Sequence, residues 1–314
     1  MLIKVFKSNH KLINILTVVL ILILWIPAFF IDQELDFPQF FSTNIRWLDV
    51  LISIVIISGQ SIYLNTIVWE YKLVKENSHL TSLMLLVLNA GCFLFLNLNQ
   101  VVIANSFILI AFHQLLRMYN SKNTHAILFN SSFLIALASL IYLPNIVCFA
   151  LLWITLIYTT TPKWRDFIIS LIGLSIPIVY YLSYKFVFQN LGTLSISNYS
   201  YTIFDNQISW VSFYQKVFFI GLAIISLLAF ISMIIILGKS MVRVRKMLVV
   251  VILMLLLNLG TIFLNKFDYL ATFLMSSIPL AIILANFFQN IKKTWIGELL
   301  FFFLLIGIVL GYFS

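Results

Sequence analysis

The chain has 314 residues, of which 62% are hydrophobic and only 9% charged, with a mean hydropathy of +1.09, whereas a soluble domain is typically about half apolar and a quarter charged. This composition excludes a soluble globular enzyme and leaves no stretch over for a separate soluble domain, so residues 1–314 are expected to form a single transmembrane helical domain. The formal charge of +9 does not indicate a nucleic-acid partner, because the basic residues are scattered through short loops and not gathered on one face.

Apolar runs approaching the roughly 20 residues that cross a hydrocarbon core recur along the whole chain, each bounded by charges or turn residues. In chain order they predict spans at 12–31, 48–69, 80–98, 101–116, 126–143, 146–160, 167–188, 213–237, 247–264, 268–290 and 297–313. The fold class expected is therefore an all-α polytopic membrane protein, a transmembrane helical bundle of about 11 spans. Lys4, Lys7 and Lys11 ahead of the first run give the charge order of a signal peptide. That run is too long for one, and Trp25, Pro27, Phe29 and Phe30 stand where a small-residue cleavage site would be, which predicts an uncleaved signal anchor. The runs at 101–116 and 146–160 are the shortest, and Pro144-Asn145 predicts a tight hairpin between the fifth and sixth spans. If either short run is partial or re-entrant, the C-terminus changes sides. Cys92 and Cys148 both fall in apolar runs and read as small buried hydrophobes, not as a disulfide framework. No linker, low-complexity tract or repeat interrupts the pattern.

Orientation follows from a separate count, because loop Lys and Arg residues stay on the cytoplasmic side. Every second connection, beginning with the N-terminus, carries the basic residues: Lys4, Lys7 and Lys11, then Lys72 and Lys75, and so on to Lys292 and Lys293. The remaining connections hold only Arg46, Lys185, Lys216 and Lys266, and Asp32, Glu34, Asp36, Asp49, Asp205 and Asp268 lie with them. The N-terminus is expected in the cytoplasm and the C-terminus on the outer side. The longest outer connection, 189–212, carries Tyr199, Tyr201, Phe204, Asp205 and Trp210 and is expected to lie at the membrane interface.

The first outer loop, Ile31-Asp32-Gln33-Glu34-Leu35-Asp36-Phe37-Pro38, alternates three carboxylates with other residues directly after a span. Close carboxylates repel, which favours keeping one protonated near neutral pH. Asp32, Glu34 or Asp36 could then act as the general base that takes a proton from an acceptor hydroxyl. The same spacing could hold a divalent cation through oxygen ligands, while the plainer reading is three solvated charges that mark the outer side. Asp205 and Asp268 could converge on these acids, with Arg46, Lys185 or Lys266 binding a phosphate. As single outer charges, each is otherwise an interface anchor.

Within the spans, Asn65, Asn89, Asn105, Asn130 and Asn258 need hydrogen-bond partners in hydrocarbon. They are expected to bind helix to helix, unless they line a polar path for a substrate. His10, His79, His113 and His125 all fall on the cytoplasmic side without the paired spacing of a metal motif, so interfacial anchoring is expected and no metal ligand is assigned. His113 and Arg117 share a helical face and could meet a lipid phosphate.

The segments Leu115-Leu116-Arg117-Met118-Tyr119, His125-Ala126-Ile127-Leu128-Phe129-Asn130 and Ala138-Ser139-Leu140-Ile141-Tyr142-Leu143-Pro144, followed by Trp164-Arg165-Asp166-Phe167 and Leu171-Ile172-Gly173-Leu174-Ser175-Ile176-Pro177, resemble an uncharacterised family of Bacteroidetes polytopic inner-membrane proteins that carries a domain-of-unknown-function label. The resemblance implies a bacterial inner membrane. A looser similarity is to the GT-C class of membrane glycosyltransferases, which have many spans and an acidic residue in the first outer loop, where Asp32, Glu34 and Asp36 stand. That class has a longer first outer loop with surface helices, and often a further acid in the next, which here is Asn97-Leu98-Asn99-Gln100. It implies transfer or polymerisation of a polyprenyl-phosphate-linked sugar on the periplasmic face. The alternatives are a non-enzymatic subunit or scaffold with protein partners in an envelope transport or secretion machine, and a lipid or small-molecule transporter.

Overall fold

Where no water is available, each backbone amide and carbonyl must be paired within its own segment, and apolar sequence resolves this by forming helices. In a computed structural model, which describes residues 5–7, 12–30, 46–75, 78–91, 96–120, 123–188, 213–263, 269–291 and 293–312, those residues contain eleven α-helices and no strand. They are α1 (Leu12–Phe30), α2 (Arg46–Tyr71), α3 (Leu80–Ala90), α4 (Gln100–Arg117), α5 (Thr124–Ile141), α6 (Cys148–Thr159), α7 (Trp164–Phe188), α8 (Phe213–Lys239), α9 (Val242–Gly260), α10 (Tyr269–Asn290) and α11 (Thr294–Tyr312). Seven of them, α2, α4, α5, α7, α8, α10 and α11, are long and apolar enough to cross a membrane. The outer connection at 189–212 lies outside the described residues.

The centre of the bundle is α10, which packs against α3, α4, α8 and α9. Its neighbour α3 is buried at every position from Leu80 to Ala90 and is enclosed by α1, α2, α10 and α11. The apolar run predicted a span over 80–98, yet the helix ends after eleven residues, about 16 Å of rise against the ~30 Å of a hydrocarbon core. Two contacts mark its end: the Phe218 ring lies where a side chain at Gly91 would go, and the Tyr312 hydroxyl donates to the orphan carbonyl of Ala90. The run at 101–116, expected to be short, is an 18-residue helix, its first turn capped by the Asn99 side chain accepting from the amide of Val102. Pro144 opens a 3-10 turn, Leu143–Val147, that leads into α6, which packs on α9 as well as on α5.

The buried amides bind helix to helix, and sequence explains where they aim. Pro279 in α10 has no N–H, so the carbonyl of Met275, four residues earlier, loses its helical partner. Asn258 of α9 donates to that carbonyl at 2.8 Å, and Asn105 of α4 donates to the adjacent Leu274 carbonyl at 2.9 Å. Gln60 joins α2 to α4 by donating to Val102 O and Ser106 Oγ, both at 2.8 Å. At helix ends, Asn286 serves the Leu73 carbonyl, Trp25 that of Leu96 and Gln215 that of Gly311. Among the described residues Asn89 bonds within its own helix, and Asn130 is exposed. Buried Cys148 lies 3.7 Å from the Asn258 amide oxygen; Cys92 is outside the described residues.

The exterior is apolar, most of all on α7, α8 and α11. On α7, exposed Trp164 and exposed Tyr184 stand twenty residues apart, a rise of about 30 Å. That separation matches a hydrocarbon core with amphipathic rings at its two boundaries. Helix α7 reaches the bundle through α5, where Gly173 lets the backbones approach: a Cβ there would sit 2.8 Å from the Phe129 carbonyl.

Candidate functional site

A continuous set of contacts gathers the basic connections at one end of the bundle. Lys7 Nζ lies 3.4 Å from the Gln289 carbonyl, the Phe6 carbonyl accepts from the amide of His79, and Asn286 reaches Leu73 just beyond α2. Lys246, in the first turns of α9, sits over the rings of Tyr119 and Tyr158 at 5.5 and 5.7 Å. His125 Nδ1 lies 3.0 Å from Asp166 Oδ1, and the other oxygen of Asp166 accepts from the amide of Lys163, closing the first turn of α7. Lys7, Lys72, Arg117, Lys163, Arg243 and Lys246 therefore share an end, which we term the basic end.

Helix α2 runs toward the basic end and α7 away from it, while α9 starts there and α10 finishes there. The helix ends that flank 31–45, 189–212 and 264–268 consequently lie at the far side of the bundle. Asp32, Glu34, Asp36, Asp205, Lys266 and Asp268 lie outside the described residues, and so does the side chain of Arg46, which opens α2. Lys185 is described near the end of α7, its ammonium 5.1 Å from the Tyr181 ring centre. Among the described residues, no three His, Cys, Asp or Glu side chains form a metal-holding group.

At the basic end, α2 and α4 assemble a polar chain that local spacing did not disclose. Tyr63 Oη lies 2.6 Å from His113 Nδ1, and His113 Nε2 lies 3.1 Å from Glu70 Oε2. The imidazole is held edge to face between the rings of Tyr63 and Tyr71, at centroid distances of 5.6 and 5.8 Å. Glu70 is 56% exposed at the side chain and His113 19%, so the chain leads from solvent into the protein. An ionised carboxylate can only accept, which puts a hydrogen on Nε2 and, in the neutral ring, leaves Nδ1 to accept from the Tyr63 hydroxyl. The charges of Arg117 and Arg243 also reach this corner, acting on the phenol of Tyr71. The sequence reading paired His113 with Arg117 one turn away, but its ring partners are 43 and 50 residues distant on α2.

His79 is different in kind. It is fully buried between α2 and α3, and its Nδ1 lies 3.3 Å from the Asn65 amide nitrogen. An amide nitrogen can only donate, so Nε2 carries the hydrogen, and it has no acceptor among the described residues. Burial pushes this imidazole below its ordinary range, which keeps it neutral near pH 7.

The eleven helices, the apolar exterior and the amide pairing are those of a helical membrane protein. No family model, curated protein or solved structure matches the chain.

Proposed function

We propose that the chain is a multi-pass bacterial inner-membrane protein of about 11 spans, with the basic end and the N-terminus in the cytoplasm and the C-terminus in the periplasm. On this reading it is a GT-C-like envelope enzyme that transfers or polymerises a sugar carried on polyprenyl phosphate. An acid from Asp32, Glu34 or Asp36 is the base, and Arg46, Lys185 or Lys266 meets the phosphate. One observation carries the reading: the helices that flank these residues, and those that flank Asp205 and Asp268, all end on the side away from the basic connections. Sparse charges facing many basic loops are what the positive-inside rule assigns to the periplasm.

The polar side chains of the interior also favour an enzyme or a subunit over a transporter, since the amide nitrogens of Asn105, Asn258 and Asn286 donate to backbone carbonyls of neighbouring segments. The test is to replace Asp32 and Asp36 by Asn and Glu34 by Gln, singly and together, and to profile envelope glycans in a strain that depends on the protein. Loss or shortening of a glycan is expected. Unchanged glycans with the triple variant present at normal levels would end the enzyme reading and leave the non-enzymatic subunit, for which a co-purifying protein partner is the expected sign.

A further inference from the structure

We propose that Tyr63 is a nucleophilic phenol, activated by His113, which Glu70 orients, and that it accepts an acyl group from a donor whose leaving group is a phosphate. The arrangement has the three parts such chemistry needs: a hydroxyl, a base within hydrogen-bond reach of it, and a third group that fixes the base. Tyr63 Oη and His113 Nδ1 are 2.6 Å apart, and Glu70 holds the other ring nitrogen at 3.1 Å. Neither ring nitrogen is left free to take a ligand of its own, which separates this chain from a metal or anion site. Tyr63 is partly exposed about two turns before the end of α2, so a donor at the membrane surface can reach it. Exposed Arg117, one turn beyond His113 on α4, and Arg243 supply positive charge at the same corner, which suits an anionic donor.

The step balances within the groups named. As the Tyr63 oxygen attacks the acyl carbon, its proton passes to His113 Nδ1, forming an imidazolium whose Nε2–H stays on Glu70. The carbon–oxygen bond to the phosphate breaks, the phosphate leaves with the electron pair, and His113 returns its proton to that leaving group. Glu70 is a positioning residue here; His113 touches the proton in flight.

The experiment uses the full chain in lipid nanodiscs with two acetyl donors, neutral N-acetylimidazole and anionic acetyl phosphate, and follows acetylation of every tyrosine by peptide mass spectrometry. Tyr63 is expected to react at least tenfold faster than the other exposed tyrosines with both donors. Glu70→Gln and His113→Gln are expected to lower that rate tenfold or more, Glu70→Asp to restore part of it, and Arg117→Gln to slow acetyl phosphate alone. Glu70 is a surface residue, so its isosteric variant keeps the fold, and size-exclusion behaviour checks this. A Tyr63 rate equal to that of other tyrosines, or one indifferent to Glu70→Gln in folded protein, overturns the proposal. An Arg117→Gln effect that is absent, or equal for both donors, overturns the phosphate part of it.

Discussion

Asn258→Leu is expected to destabilise the protein by about 1–2 kcal/mol, and by much less when Pro279 has been replaced by Ala. The magnitude comes from what the amide does. Pro279 removes the N–H that would have met the Met275 carbonyl, and the Asn258 amide takes its place at 2.8 Å in a fully buried setting. Interhelical hydrogen bonds in membrane proteins average about 0.6 kcal/mol and reach about 1.7, because a freed group usually finds another partner. With Pro279 present no N–H four residues on can take over the Met275 carbonyl, so the upper part of that range applies, within the ~1–3 kcal/mol of a buried group left unpaired. Pro279→Ala restores the helical donor, and the two substitutions should then couple by about 1 kcal/mol. The loss of the weak acceptor for Cys148 is common to both backgrounds and cancels from the cycle. Reversible unfolding of the four proteins in mixed micelles measures the coupling. Strict additivity would show that the amide does not stand in for the missing N–H.

Gly173→Ala should cost about 1–3 kcal/mol by overpacking, because the new methyl would meet the Phe129 backbone carbonyl at 2.8 Å and the Ser132 hydroxyl closer still; Gly59→Ala, with open space around it, should be neutral or slightly stabilising. Lys72 is the one described non-glycine residue at positive φ, +52°, where it closes α2 with Leu73 N bonded to Val68 O at 3.0 Å. Lys72→Gly should therefore be tolerated or add up to about 1 kcal/mol of stability, whereas Lys72→Val should remove about 1 kcal/mol or more in the same unfolding assay. Acid should weaken the fold through His79. Its folded pKa lies below the unfolded value of about 6.5, so the unfolded chain binds the extra proton and stability falls as pH drops from about 6.5 toward the folded value. His79→Gln should flatten that part of the stability profile, and an unchanged slope would remove His79 from the account.

Much of the helical framework was legible because hydropathy and turn residues act locally. The apolar run 126–143 corresponds to α5 at Thr124–Ile141, and 268–290 to α10 at Tyr269–Asn290. The early end of α3 was not legible, since Gly91, Cys92 and Phe93 continue an apolar run and the stop is marked by the Phe218 ring and the Tyr312 hydroxyl, which arrive from distant helices. The Asn residues were readable as links between helices, but their targets depend on which carbonyls Pro279 and the helix ends leave open. The chain from Glu70 through His113 to Tyr63 escaped sequence reading for a related reason: its members lie on two helices, and helical spacing relates a residue only to neighbours on its own helix. Of the eight candidate site residues, only Lys185 has its side chain among those described.

The most direct test of the account is the side of the membrane on which the first acidic loop lies. In a chain carrying Cys92→Ala and Cys148→Ala, a single cysteine introduced as Glu34→Cys, or as Thr161→Cys in the loop before α7, is exposed to a membrane-impermeant maleimide in cells whose outer membrane alone has been opened. The account predicts labelling at position 34 in these cells and at position 161 only after the inner membrane is breached. The reverse pattern would contradict it and move the acidic loops into the cytoplasm.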